Sequence, residues 1–539
     1  MQKQNQEEQF QYTNVILSSL DFRFKVFISS EYAWFPFKLV INQIRKSLQA
    51  YNPRVKFYQI SAYGFHQVDV SGYGLQLPDK LQKMLNVLTN RFFWSNIIPV
   101  FGRVFLLSFY YRRSSQLSRV QINGVKIGDI LAAEYLRDPR YANGQLKLDL
   151  RFYKVVMKYL IVYALFVRDL NRILKDFSVT DIVYAIQETS FKDEMRRRVL
   201  IKKGIFIEYQ FNKYLGKMRL IQYTKYAQGR VLEYTPRVND LTDAERIQAS
   251  VSMDKRVNDG VQSWTVNVTD VDPKAVFVLP KKIDRSIPTA IVFLHAVADD
   301  QYRCGLDEFA SLDAFHRYTI DTLLKLGYQC ILKSHPGVNS AIHPDKTIID
   351  RRYLKRLFYD YGLSYDELIS SGINDCQYSI RHARLLALHP KLGIRSIAAK
   401  LDFLTITHHG NVTFEAQHLG LASVKYRYCK NRAYHFCHDW STISEYKELL
   451  AYYKLYQKLP NVAFKDNYLD VVAVLTRKAS QPNYNKELMI VARDANIPII
   501  EKPGTKAQVY DNFNLIQERM LNDESFMKDI EQRFSRFLN

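Results

Sequence analysis

Short apolar runs alternate with longer amphipathic stretches through most of this 539-residue chain, and many of the apolar runs break abruptly into polar residues. Alternation over 22–30 predicts a first strand, 37–51 a helix and 55–61 a second strand. Residues 147–176 are apolar along one face, as a packed helix is. Residues 181–186 read as a buried strand, 187–190 turn polar, 192–203 suit a basic helix, and 204–208 form another short strand. Strand, helix and strand in that order predict a parallel α/β unit. Residues 236–288, with Pro236, Pro288 and weak periodicity, read as a connection. A second α/β series starts near Ala290. It has strands at 291–294 and 328–333, helices at 311–326, 379–388 and 445–459, and an apolar segment at 397–406. The tail from 470 is helical and polar with apolar spacing.

These patterns divide the chain into a flexible arm (1–20), an N-terminal α/β domain (21–235), the connection (236–288), a C-terminal α/β domain (289–470) and C-terminal helices that fold back on the first domain (471–539). The length agrees, since 539 residues exceed what one core supports.

Three strand–loop units of the second domain end in candidate chemistry. They are Ile291-Val-Phe-Leu-His-Ala-Val-Ala-Asp-Asp300, Cys330-Ile-Leu-Lys-Ser-His-Pro-Gly337, and a segment from Leu404 through Thr407-His-His-Gly-Asn-Val-Thr413 to Gly420. Open α/β sheets place ligand-binding groups at the carboxyl ends of strands. Eleven of the twelve histidines lie between His295 and His438. In the first loop, Asp299 or Asp300 suits a general base or a holder of hydroxyl groups; either equally suits a helix cap. In the second, Pro336 stiffens the loop and fixes His335, whose ring N–H can meet a phosphate oxygen, with Lys333 adding charge. In the third, Gly410 lets the backbone approach an anion and the following helix start offers free N–H groups. Glu415 in its first turn is placed for a ribose hydroxyl, or complements the helix dipole. No HExxH spacing occurs, and adjacent His408 and His409 on an extended segment point opposite ways, so no metal site is expected.

The net charge is +22 and uneven: residues 1–250 carry 38 Lys and Arg against 21 Asp and Glu. A basic first half implies an anionic partner, either an anionic membrane face or an acidic polymer. A nucleic-acid-binding protein fits the charge, but zinc-finger spacing, an RNP-like aromatic strand and a Lys/Arg-rich arm are all missing, so nucleic acid is not an expected partner. Five cysteines without CxxC spacing suggest neither a disulfide framework nor a zinc site, which suits a reducing compartment. The polar start of the chain does not read as a signal peptide. No apolar stretch is long enough for a spanning helix. The nearest, 92–113, contains Pro99, Gly102 and Arg103. It reads either as a buried helix and strand or as a surface that dips into the bilayer interface.

In order and spacing, the three loops resemble the capsule-type branch of bacterial surface-polysaccharide glycosyltransferases, similar to its Kdo- and sialyl-transferase-like members. The matching residues are His295, Asp299, Gly305 and Phe309; Lys333, His335 and Pro336; and Thr407, Gly410, Glu415 and Gly420, with Tyr434 downstream. Asn411 stands where that family has Ser or Thr. The segments Val125-Lys-Ile-Gly-Asp-Ile130 and Tyr135-Leu-Arg137 look like its acceptor side. The clear resemblance covers roughly 285–460.

The resemblance implies a GT-B-like fold, with two Rossmann-like domains facing a central cleft. It implies a nucleotide-sugar donor, CMP- or UDP-linked foremost, held by His295, Lys333, His335, Pro336, Thr407, His409, Gly410, Asn411 and Glu415. The acceptor is a glycan, free or lipid-linked, of capsule, O-antigen or similar type. Transfer is inverting, with no metal and no cofactor, and Asp299, Asp300 or Glu188 serves as the base. A polyol-phosphate transferase of the same fold is the alternative. The expected location is cytoplasmic, peripheral on the inner face of the cell membrane.

Overall fold

The structure is a computed structural model. It describes residues 25–29, 56–61, 64–67, 87–109, 120–136, 149–174, 182–187, 191–203, 207–212, 217–227, 230–233, 241–259, 272, 274–297, 308–309, 311–336, 344–427, 434–479, 490–499 and isolated positions between 515 and 532. The predicted arm 1–20 and helix 37–51 lie outside the described residues.

In the first half the elements run β1 (Lys25–Ser29), β2 (Lys56–Ser61), β3 (Gly64–Gln67), α1 (Arg91–Phe109), β4 (Gln121–Ile122), β5 (Val125–Lys126), α2 (Gly128–Leu136), α3 (Leu150–Ile173), β6 (Ile182–Gln187), α4 (Phe191–Lys202), β7 (Ile207–Asn212), β8 (Lys217–Ala227) and β9 (Arg230–Glu233). Seven of these strands form a sheet in the order β3-β2-β1-β6-β7-β8-β9. Its centre, β2-β1-β6-β7, is parallel, and β3, β8 and β9 are antiparallel. The predicted strand–helix–strand unit is β6-α4-β7.

A helical layer is inserted between β3 and β6. Its core joins Val104 of α1, Ile122 of the β4–β5 hairpin, Ile130 of α2 and Tyr159 of α3, and Val199 of α4, which follows β6, packs into it. The hairpin turns on Asn123 and Gly124, with φ of 46° and 72°. Two left-handed residues are what a tight hairpin requires, and Asn-Gly adopts them at least cost. The stretch predicted over 92–113 is the single helix α1, with Pro99 inside it and no strand among its described residues.

The second half continues with α5 (Asp243–Asp259), β10 (Thr289–Leu294), α6 (Leu312–Lys325), β11 (Gln329–Ser334), α7 (Pro344–Asp360), α8 (Tyr365–Ser370), β12 (Cys376–Tyr378), β13 (Leu385–Leu388), α9 (Ile394–Ala398), β14 (Leu404–Ile406), α10 (Val412–His418), β15 (Ser423–Tyr426), β16 (His438–Trp440), α11 (Ile443–Tyr456) and α12 (Tyr468–Ala479). Its sheet runs β12-β13-β11-β10-β14-β15-β16. All neighbours are parallel except β12, which is antiparallel at the edge. Without β12 the order is 3-2-1-4-5-6, the doubly wound arrangement whose topological switch point lies between its first and fourth strands, here β10 and β14.

The central strands are apolar almost throughout because helices cover both faces. Val292 and Leu332 face one core with Phe315 and Leu357, and Ile291 and Ile331 face the other with Leu386 and Phe403. Successive strand residues thus alternate between two dry layers.

Two stretches differ from expectation. Residues 379–388, predicted as a helix, hold the turn between β12 and β13 and then β13 itself. The Leu-Leu-Ala-Leu run favours helix intrinsically, but four apolar residues buried on both faces beside β11 form a ladder instead. The weakly periodic 236–288 contains the 17-residue helix α5. Thr242 and Glu245 build a capping box at its start, with Thr242 N donating to Glu245 Oε2 at 2.8 Å and Glu245 N donating to Thr242 Oγ1 at 3.3 Å. α5 packs on α10 and α12 through Met253, Phe414 and Val472. The rest of the tail, including any return to 21–235, falls largely outside the described residues. Among the described residues, no helix is long and apolar enough to cross a membrane.

Candidate functional site

The switch point of the second sheet gathers imidazoles from three strand ends. His295 follows β10, His335 follows β11, and His408 and His409 follow β14. The rings of His295 and His409 lie with centroids 3.8 Å apart and planes tilted by 35°, and His335 lies 6.1 Å from His295. Exposure falls along the row: His335 is exposed, His295 is half-buried, and His409 and His408 are buried. The cluster therefore opens to solvent on the β11 side and ends in the core on the β15 side.

The packing behind this row fixes its rings. His408 stacks on Tyr426 at 4.8 Å and meets Phe315 edge-on at 5.1 Å. Its Nδ1 is 2.9 Å from Nδ1 of His409. Only one of these nitrogens can carry the shared proton, so the pair holds one donor facing one acceptor, and the two rings are not both imidazolium. Deeper still, His316 of α6 accepts from the backbone N–H of His295 through Nε2 at 3.4 Å. Its Nδ1–H therefore points at the Tyr353 hydroxyl, 2.7 Å away. Burial holds His316 neutral, with its pKa down to about 3, and the charges of His295 and Arg317 add to that. The His295 backbone is thus anchored by a buried ring that does not itself ionise.

The third loop is tight. Thr407 N donates to Val424 O at 3.3 Å, and a Cβ at Gly410 would sit 3.1 Å from Thr407 Oγ1. Any larger residue here would require the Thr407 side chain to give by a few tenths of an ångström. Thr413 donates to the Gly410 carbonyl through Oγ1 at 2.9 Å. Asn411, at the N-cap of α10, makes no side-chain capping hydrogen bond. α10 has only seven residues, so the free N–H groups expected at its start belong to a short helix with little accumulated dipole.

Glu415 is held by Arg256 of α5, whose Nη2 donates to Oε1. Arg256 is buried and Glu415 nearly so. This partner is missing from the sequence-derived site. Lys333 is buried on β11, and its Nζ donates to Pro390 O at 3.1 Å. Burial pulls its pKa down to about 8, against an opposing pull from Glu415. Lys333, Glu415 and Arg256 thus form a charged layer on the Ile291/Ile331 face of the sheet.

The residues named from sequence divide accordingly. His295, His335, Pro336, Thr407, His409, Gly410 and Asn411 occupy the strand-end loops. Lys333 and Glu415 lie behind them. Asp299, Asp300 and Glu188 lie outside the described residues, as does Gly305. Asp129, in the segment read as acceptor-side, is buried and bound by Arg198 through both oxygens, at 2.8 and 2.9 Å. Among the described residues, no group of three His, Cys, Asp or Glu is arranged to hold a metal ion.

Strand order and pairing make the second sheet a doubly wound α/β unit with a polar cluster at its switch point. No protein-family model matches the chain, and no curated protein matches it. Among solved structures the chain is similar to Thermosulfurimonas dismutans KpsC, beta Kdo 2,4 transferase, at 12% identity and a TM-score of 0.29, over 56% of this chain and 87% of that one. Likeness this loose defines neither fold nor chemistry, and the site stands on its own geometry.

Proposed function

We propose that the chain is a glycosyltransferase that moves a sugar from a nucleotide-activated donor to a surface glycan. The observation that carries this reading is the convergence of His295, His335 and His409 at the switch point between β10 and β14. Doubly wound sheets bind nucleotides and their phosphates at that position. Imidazoles graded from exposed to buried suit an anion that enters from solvent and is gripped on one side.

The reaction follows from such a grip. A carboxylate, Asp299, Asp300 or Glu188, takes the proton of an acceptor hydroxyl as its oxygen attacks the anomeric carbon. The bond from that carbon to the phosphate oxygen breaks, the configuration inverts, and the nucleotide leaves with the electron pair. Ring N–H groups already in place stabilise that charge more than mobile water does. No metal is needed for these steps. In this reading the donor, CMP- or UDP-linked, rests on the second sheet, and the acceptor glycan approaches across a GT-B-like cleft from the side of residues 21–235.

A thermal-shift panel of CMP-, UDP-, GDP- and CDP-linked donors tests the proposal, because a ligand of the folded state raises the melting temperature. One nucleotide class is expected to do so. His335→Ala, at an exposed position, is expected to weaken that donor about tenfold or more, the loss of one charge-assisted hydrogen bond, with the unliganded melting temperature unchanged. Mass spectrometry of the product separates sugar transfer from polyol-phosphate transfer. No shift with any donor, or full affinity in His335→Ala, defeats the proposal.

A further inference from the structure

Helix α1 carries large apolar residues on two opposite sides, and only one of these sides is covered. Phe93, Val100 and Val104 are buried in the helical layer of the first half. On the opposite side Trp94 is 51% exposed, Ile98 79% and Leu106 59%. Phe105, also half-exposed, continues the line of Trp94 and Ile98, since offsets of four and eleven residues fall on one helix face. The Trp94 indole N–H donates to Leu88 O at 2.7 Å, which fixes the ring at the helix start. Leu88 is itself 47% exposed and extends the apolar edge. Contiguous exposed apolar surface of this kind marks an interaction site.

The charge around the helix selects the partner. Residues 80–128 contain eight Lys and Arg and no Asp or Glu. Arg91 and Arg103 of α1 are both exposed. A second copy of the face would bring arginine against arginine. A nucleic acid would satisfy the arginines but leave Ile98 and Leu106 in water. A bilayer with anionic headgroups satisfies both: the apolar wedge enters the acyl boundary, Trp94 sits at headgroup level, and the arginines meet phosphate. α1 also carries Arg91, Pro99 and Arg103 and falls short of a membrane-crossing helix, so the geometry is that of a helix lying in the interface.

We infer that the outer face of α1, built on Trp94, Ile98 and Leu106 with Arg91 and Arg103, docks the protein onto an anionic membrane surface. The inference does not rest on the identity of the donor. In a glycan-building enzyme it would bring the acceptor side of the chain to lipid-linked substrates.

Vesicle flotation with the full chain tests it without any turnover. Wild type is expected to float with phosphatidylglycerol-rich vesicles, to remain behind with pure phosphatidylcholine, and to be released by high salt. Ile98→Asn/Leu106→Asn and Arg91→Gln/Arg103→Gln are each expected to weaken binding about tenfold or more with unchanged melting temperature. Should the apolar double variant unfold, the Trp94→Phe protein decides. Quenching of tryptophan fluorescence by brominated lipid, expected in wild type, must then fall sharply. Wild type that fails to float overturns the inference. So do variants that float like wild type, an indole signal that Trp94→Phe leaves intact, or a dimer that Ile98→Asn converts to monomer.

Discussion

Asp129, Glu194 and Arg198 are ions buried between α2 and α4, whereas His316, Tyr353 and His408 are ring groups buried behind the strand ends of the second sheet. Both regions enclose polarity, but for different ends. Arg198 donates to Asp129 through Nη1 and Nη2, to Glu194 through Nε at 2.9 Å, and to the Lys126 carbonyl at 2.8 Å. All three of its nitrogens donate inside the fold, so the cluster locks the hairpin, α2 and α4 in register. The second region spends its hydrogen bonds on positioning instead. His316 holds the His295 backbone, His408 holds His409, and the outer rings stay at the surface. Buried polarity marks a functional site where its chain of contacts leads outward.

The largest expected effect breaks the first region. Arg198→Ala leaves Asp129 buried with its cation gone, while Glu194 keeps Arg197, which costs about 4 kcal/mol, within the range for a broken buried pair. Urea denaturation followed by circular dichroism measures it. Arg198→Met/Asp129→Leu is expected to recover most of the loss, because removing both members of a buried pair leaves less uncompensated charge. A loss below about 1 kcal/mol for Arg198→Ala would mean that the cluster is wet and the contrast between the regions false.

Acid should pick out the second region. His316 has a folded pKa of about 3 against an ordinary 6.5. Between those values the unfolded chain binds a proton that the folded one refuses, so stability falls as the pH drops through that window. From pH 6.5 to pH 4 the loss is about 3 kcal/mol. The groups facing the ring are Tyr353, His295 and Arg317, and among the described residues no carboxylate bonds to it to offset the burial. Denaturation curves of wild type and His316→Gln across that range measure the difference. Parallel curves would show that His316 reaches solvent and does not fix His295.

The strand ends were legible because an apolar run of four to six residues followed at once by His or Gly has few other readings in an α/β chain. This holds most directly for His295, whereas Lys333 and Ser334 come before His335 at the end of β11, and Thr407, His408 and His409 separate the three-residue β14 from Gly410. The ladder at 385–388 was not legible, since four apolar residues serve helix and strand alike and only burial beside β11 decides. Arg256 was missed because its partner Glu415 is 159 residues away, and no local pattern encodes such a pair. A local signal for its helix did exist, in the Thr242–Glu245 capping box. The direction in which Lys333 reaches was not legible either. The sequence shows a lysine two residues before a histidine, but Lys333 still lies within β11, on the Ile331 face, and reaches inward to Pro390 O, whereas His335 lies past the end of the strand, in the loop.

That inward lysine gives the smallest effect and the finest test. Its folded pKa of about 8 lies below the ordinary 10.5, and burial is the main cause. Between pH 8 and 10.5 the unfolded chain keeps a proton that the folded chain has released, so stability rises with pH through the window, by about 2 kcal/mol from pH 8 to pH 10. Lys333→Met is expected to lack this rise and to be the more stable protein at pH 7, its thioether packing where the ammonium lay near the Phe293 ring. Donor affinity in the variant then sharpens the picture of the site. A small change means that Lys333 and Glu415 act on the phosphate only through their field across the sheet. A loss as large as that of His335→Ala, together with a flat pH profile in wild type, would mean that the ammonium leaves Pro390 and reaches the strand-end loops, joining the imidazoles in direct contact.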